Sequence, residues 1–287
     1  MRDQKVSVDE AGTLRPDEKA ARWEDLRRIE QALEVAGKVL EGFQSGATPA
    51  ERKSGREIVT AADRLVNQRL WEVLPQEGEG WLSEEMADDR IRLQRRRVWI
   101  VDPLDGTLEF VAGIPEWCVS IGLVEDGQAV AGGIFNPATE EVFLGSLETG
   151  VTRNGQPVSA QVRRETKDML VLASRSEVKR GEWDRFRDAP FQVQPMGSVA
   201  YKLARVAAGL ADATWTFTPK HEWDVAAGAA LVKAAGGVLR TLDGREPGFN
   251  CPELLLSGLM AFSPASADTL LAYLKCAAVD VEGLCFG

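Results

Sequence analysis

Near the start of the chain apolar side chains recur at helical spacing. Within DEKAARWEDLRRIEQALEVAGKVLEGF (17–43), Leu26, Ile29, Leu33, Ala36 and Leu40 fall on one stripe. The stripe predicts a long amphipathic helix, entered after Pro16, with one buried face. GATPAERKSGRE (46–57) is rich in Gly, Pro and charge and predicts a mobile loop. TAADRLVNQRLWEVL (60–74) predicts a second helix whose Thr60 and Asp63 resemble a capping box. RVWIVD (97–102), CVSIGLV (118–124), AVAGGIFN (129–136) and EEVFLGS (140–146) then read as strands of a meandering sheet. Asp126 and Gly127 supply turn chemistry between the second and third of these. After Gly155 the pattern changes. LVLAS (170–174) and FQVQPMGS (191–198) alternate with helices SVAYKLARVAAGL (198–210) and DVAAGAALVKAAGG (224–237), followed by GVLRTLDG (237–244) and LLLSGLMAF (254–262). Strands alternating with helices make the second half α/β, after an α+β first half.

A chain of 287 residues suits two packed subdomains or one large layered one. The predicted division is a loose tail over 1–17, an α+β subdomain over 18–157 and an α/β subdomain over 158–287, with VDVEGLCFG (279–287) as a terminal tail. No apolar run approaches the roughly 18 residues of a membrane span. The first residues lack the apolar middle of a signal peptide, so the expected location is the cytoplasm. Cys118, Cys251, Cys276 and Cys285 lie far apart with no CxxC spacing, which favours reduced thiols over a zinc site or a disulfide framework. The net charge of −10 disfavours broad capture of a nucleic acid polymer. An anionic substrate would need cations to mediate the contact.

Candidate chemistry concentrates in VDPLDGTLEF (101–110). Pro103 fixes the backbone without donating an N–H, and Gly106 permits positive φ, so Asp102, Asp105 and the Leu104 carbonyl can face one point. Hard divalent ions such as Mg²⁺ take oxygen ligands of this kind. The backbone N–H groups of Gly106 and Thr107 would open a short helix, TLEFVA, whose positive end suits a phosphate. For DPLDG alone, a surface turn with helix-capping acids is the better explanation. An EF-hand fails because Gly113 stands at the twelfth position, where a closing Glu is needed. Two other segments add acids: Glu84 or Glu85 in WLSEEM, and Asp224 at the start of a helix whose Ala and Gly residues at 226–230 predict close backbone packing.

Together these segments resemble the inositol monophosphatase superfamily of lithium-sensitive, magnesium-dependent phosphatases. Trp99 to Phe110 match W-x-x-D-P-[LI]-D-G-T-x-x-F, and Trp223 to Gly228 match W-D-x-A-A-G. The likeness extends to VTAAD (59–63), the SEE segment (83–85) and GSVAYKLARVAAGLAD (197–212). It implies a layered αβαβα sandwich, with an antiparallel sheet from the first half, a second sheet flanked by helices, and the active site between the halves. It also implies that Glu84, Asp102, Asp105 and Asp224, with the Leu104 carbonyl, hold two or three Mg²⁺ ions, Asp102 bridging two of them. Asp63 and Glu84 would hold the weaker ion or orient water. The Thr107 hydroxyl would help to deprotonate the attacking water, and a phosphate would rest on Gly106 and Thr107. Such a site hydrolyses a phosphate ester by metal-activated water, with no covalent intermediate. His221, the single histidine, is assigned to the substrate rim or to structure. Many relatives are dimers, so a homodimer is consistent with the resemblance.

For substrate, DPLDGTxEF and the P-x-x-E-W-D approach to Asp224 resemble the 3′(2′),5′-bisphosphate nucleotidases. The inositol enzymes carry a Glu seven residues before that Asp, where Phe217 stands here, a ring that either packs on a base at the substrate rim or fills core. Leu108, where the nucleotidases often place Lys, and the spacing of GSVAYK point back towards the inositol group. Lys202 and Arg205 either offer charge to a second phosphate or are solvated surface residues. The expected substrate is a small phosphorylated metabolite, 3′-phosphoadenosine 5′-phosphate yielding AMP. Inositol 1-phosphate and fructose 1,6-bisphosphate are the alternatives. A non-catalytic binder of a phosphorylated ligand would have little use for all four carboxylates.

Overall fold

The structure, a computed structural model, describes residues 16–52, 58–160 and 164–276. Helix α1 (Pro16–Leu40) starts at Pro16, so Pro16 and Asp17 belong to it rather than to the expected tail. The remainder of that tail and the 279–287 segment lie outside the described residues. The expected loop at 46–57 is partly a hairpin: β1 (Ala50–Arg52) pairs antiparallel with β2 (Ile58–Thr60), and 53–57 lie outside the described residues. Helix α2 (Ala61–Val73) follows directly, and the Thr60–Asp63 capping box is present.

The two long helices form the first layer. Leu26, Ile29, Leu33, Ala36 and Leu40 of α1, with Ala62, Val66 and Leu70 of α2, pack on one face of a seven-stranded sheet. Each fully buried large apolar side chain contributes about 1.5–3 kcal/mol. The sheet runs in the order β3 (Gly80–Ser83), β4 (Arg97–Asp105), β5 (Cys118–Glu125), β6 (Gln128–Asn136), β7 (Glu141–Ser146), β8 (Gly150–Arg153), β9 (Gln156–Pro157). A short helix, α3 (Thr107–Ala112), interrupts it between β4 and β5. All neighbours are antiparallel except β3, which runs parallel to β4, so the expected antiparallel sheet is in fact mixed. Alternation in β4 serves two cores: Trp99 and Val101 face the helical layer, while Val98 and Ile100 face the interior between the sheets.

The second sheet has the order β11 (Gln192–Met196), β10 (Leu170–Ser174), β12 (Ala213–Thr216), β16 (Leu259–Phe262), β14 (Val238–Arg240). Its central strand, ATWT, has no clear sequence signature, yet all four residues are buried. Between the sheets lie α5 (Val199–Ala207) and α6 (Glu222–Ala234). A two-stranded pair of β13 (Lys220–His221) and β15 (Leu255–Leu256) sits at the start of α6. The outer face of the second sheet is covered by α4 (Arg175–Lys179) and by α7 (Ala267–Cys276), a helix the sequence pattern did not predict. The layers therefore stack as αβαβα.

The small residues of α6 permit the close approach that their composition predicted. A Cβ at Gly122 would lie 2.8 Å from the Ala227 nitrogen, and one at Gly132 would run into the Ala227 carbonyl. Gly132→Ala is expected to cost about 1–3 kcal/mol by overpacking. A urea midpoint equal to that of the parent chain would contradict this packing.

Candidate active site

In a regular strand, residues three apart point to opposite faces. Asp102 opposes Ser120 and Asp105 opposes Cys118, so three steps along β4 match two along β5. This bulge brings the two carboxylates to the same side. The strand runs through Asp105 rather than ending at Asp102. Gly106 then turns the chain at φ +95°, where a Cβ would stand 2.8 Å from the Glu116 carbonyl, and Thr107 opens α3. The third acid, Asp224, comes from the first turn of α6, where its Oδ2 accepts the His221 backbone N–H at 3.0 Å. Oxygens of Asp102, Asp105 and Asp224 all lie within 4.8 Å of one another.

Each acid is held by neighbours. The Leu104 N–H donates to Asp102 Oδ1 at 2.9 Å. Asp105 Oδ2 accepts from Ser198 Oγ at 2.7 Å and from the Ala200 N–H at 2.6 Å, which ties it to the N-terminus of α5 in the second half. Ser198 was not among the predicted site residues, although a Ser just before a helix is a cap signal. Asp63 caps its helix as the capping-box reading expected and also reaches the segment that carries Thr107. Its Oδ2 caps α2 through the Thr60 N–H at 2.9 Å, and its Oδ1 lies 3.1 Å from Thr107 Oγ1. The Thr107 hydroxyl is also 3.0 Å from the Leu104 carbonyl, which is thus not free.

Asp102 is 1% exposed. Burial raises its pKa well above the usual carboxylate range, and the charges of Glu84, Asp105 and Asp224 raise it further. Asp224 is pushed up to about 8, first by burial and then by Asp105, with Lys220 opposing. Acids placed together at such cost form an all-oxygen donor set that fits a hard divalent cation such as Mg²⁺. Glu84 follows β3, its N–H 3.4 Å from the Val101 carbonyl. It stands outside the tight trio but close enough to raise both Asp102 and Asp224. The charge of Glu85 acts on Arg64 instead.

The rim residues separate. Lys202 is buried rather than solvated, with Nζ 3.3 Å from the Met196 carbonyl. Arg205 faces Tyr201 and Glu141, so the two cations do not converge. Phe217 stacks on Phe186 at 6.3 Å under the Arg185 guanidinium, which gives its ring to the outer aromatic core instead of the substrate rim. The His221 ring stacks on Trp223 with centroids 4.4 Å apart.

Residues 23–278 match the model of the inositol monophosphatase family. The chain is 35% identical to the inositol-1-monophosphatase of Mesorhizobium japonicum, over 67% of this chain and 75% of that protein. Its fold matches the crystal structure of extragenic suppressor protein suhB from Bartonella henselae with a TM-score of 0.74 at 27% identity, covering 87% and 98% of the two chains. It also matches CysQ from Bacteroides thetaiotaomicron, with a TM-score of 0.68, 27% identity and coverage of 84% and 97%. With the bulged acid pair, the α6 acid and the matched sequence all in agreement, the chain belongs to the inositol monophosphatase family.

Proposed function

We propose that this phosphoric monoester hydrolase acts on a doubly phosphorylated small metabolite, with 3′-phosphoadenosine 5′-phosphate, cleaved to AMP, as the preferred substrate. The observation that carries this reading is Lys202. Burial, and then the charge of Lys220, lower its pKa to about 8, while Asp105 and Glu109 pull the other way. Two lysines that oppose each other beside the acid trio suit an anion in addition to the phosphate being cleaved.

In this reading Glu84, Asp102, Asp105, Asp224 and the Leu104 carbonyl hold Mg²⁺, which when bound lowers the pKa of water and neutralises the leaving oxygen. Gly106 and Thr107 receive the scissile phosphate on their backbone N–H groups. Thr107 Oγ accepts a proton from the attacking water while passing its own to Asp63, as their 3.1 Å separation allows. The water oxygen then bonds to phosphorus as the ester P–O bond breaks, and the departing oxygen is protonated by solvent.

Phosphate release from 3′-phosphoadenosine 5′-phosphate, inositol 1-phosphate and fructose 1,6-bisphosphate, with Mg²⁺ and with EDTA, tests both levels. The nucleotide is expected to lead, and EDTA to abolish release from all three. Release that persists in EDTA would refute the metal reading. A second reading, inositol 1-phosphate, is supported by the name of the Mesorhizobium relative and wins if that substrate leads.

Lys202→Met is expected to raise the KM for the nucleotide about 10-fold or more, the worth of a charge-assisted hydrogen bond. Its KM for inositol 1-phosphate should barely move. Because the lysine is charged below about 8, kcat/KM for the nucleotide should fall as pH rises through that value. The decline should be absent in the variant.

A further inference from the structure

Two fully buried ionic side chains outside the acid trio join the segments that carry Glu84 and Asp224. Glu222, 0% exposed, is the first residue of α6, and Arg92, 1% exposed, follows the loop that starts at Glu84. They meet through Asn250 and Cys251. The Asn250 N–H donates to Glu222 Oε2 at 2.7 Å and the Cys251 N–H to Oε1 at 2.8 Å. Arg92 Nη1 donates to Asn250 Oδ1 at 2.8 Å, and Nη2 donates to the Cys251 carbonyl at 3.0 Å. The Asn250 amide returns a bond to the Arg92 carbonyl at 3.1 Å. On the other side, Asp88 grips Arg92 through Nε at 3.1 Å and Nη2 at 2.8 Å, closing the loop four residues after Glu84.

We infer that Arg92 and Glu222 are positioning residues for the metal site: their network sets the distance between Glu84 and Asp224, which come from opposite halves of the chain. Neither reaches the reacting atoms. Packing alone does not require such a network, since an apolar pair of the same shape fills a core at lower desolvation cost. Its directional bonds instead fix the start of α6 in orientation as well as in place, which is what a ligand two residues further along needs. The inference rests on the reading of Glu84 and Asp224 as metal ligands.

The test is calorimetric titration of the purified chain with Mg²⁺, together with the Mg²⁺-induced rise in Tm and the KM at saturating Mg²⁺. Glu222→Gln and Arg92→Lys are expected to weaken Mg²⁺ binding about 10-fold, the usual effect of altering the groups behind a ligand. KM at saturating metal should stay close to the parent value. Asn250→Gly keeps the left-handed backbone, at φ +58°, and removes both side-chain bonds, so it carries the test if the other two fold poorly. It should show a smaller loss in the same direction. Arg22→Gln, in the ion network at the opposite end of β5, should lower Tm without changing Mg²⁺ affinity. Unchanged Mg²⁺ affinity in Glu222→Gln and Asn250→Gly, whatever their Tm, overturns the inference. Absence of saturable Mg²⁺ binding in the parent chain overturns the ligand reading itself, and this inference with it.

Discussion

Asp102→Asn is expected to lower kcat by more than about 100-fold at saturating Mg²⁺, because altering a group merely behind a metal ligand already costs about 10–100-fold. The same substitution should leave the fold intact and raise Tm in EDTA. Asn keeps the shape and one oxygen, so the Leu104 N–H retains an acceptor at the 2.9 Å position. What it removes is a buried charge crowded by Glu84, Asp105 and Asp224. The sign follows from linkage. Asp102 and Asp224 have pKa values raised in the folded protein, so their contribution to stability is fully present below the ordinary carboxylate range. It is lost as pH rises through the raised values, about 8 for Asp224. Metal-free parent protein should therefore lose stability between pH 5 and 8, and Asp102→Asn should flatten that slope. Thermal denaturation in EDTA across that range, paired with turnover in Mg²⁺, checks both halves. Near-normal turnover would remove Asp102 from the metal site.

The second large effect lies behind the site. Glu177, 0% exposed, accepts from Thr216 Oγ1 at 2.5 Å, the Phe217 N–H at 2.9 Å, the Thr218 N–H at 2.9 Å and Trp183 Nε1 at 3.1 Å. Glu177→Ala strands these four donors, and at about 1 kcal/mol for each one left unpaired the expected loss is roughly 4 kcal/mol. That is a fall in Tm of about 8–16 °C for a chain of this size. Turnover should fall as well, because residues 216–218 lead into the strand and helix that present Asp224. Burial alone would raise the pKa of Glu177, but the bonds from Thr216, Thr218 and Trp183 outweigh it and hold the group below its ordinary value. Its contribution is accordingly present above the ordinary Glu value and lost as pH falls through the depressed one. The gap between parent and variant should narrow in acid. A constant gap down to pH 3 would show that the carboxylate is not the acceptor this geometry makes it.

Most of the architecture was legible because it is written in periodicity. The α1 stripe, the Thr60–Asp63 capping box, the Asp126–Gly127 turn and the alternation in RVWIVD each depend on residues within a few positions of one another. The elements that escaped were short or depend on distant partners. ATWT is four residues long, and only its place between β10 and β16 makes it a central strand. The β3 segment, a parallel partner of β4, carries no mark of strand direction in its four residues.

The same division runs through the site. Local chain chemistry alone marked Asp102, Asp105 and the Gly106–Thr107 turn as one acid-bearing segment, whereas the bulge that brings both carboxylates to one side depends on pairing with Ser120 and Cys118 of β5. Only the tertiary structure decided that Lys202 is buried beside Asp105 while Arg205 faces Glu141, that the Phe217 ring joins the outer core, and that Glu177, Arg92 and Glu222 are buried and bonded. A lone charged residue in a polar stretch reads as solvated surface. Its burial becomes tolerable only when donors from far along the chain converge on it, and that convergence follows from how the layers pack.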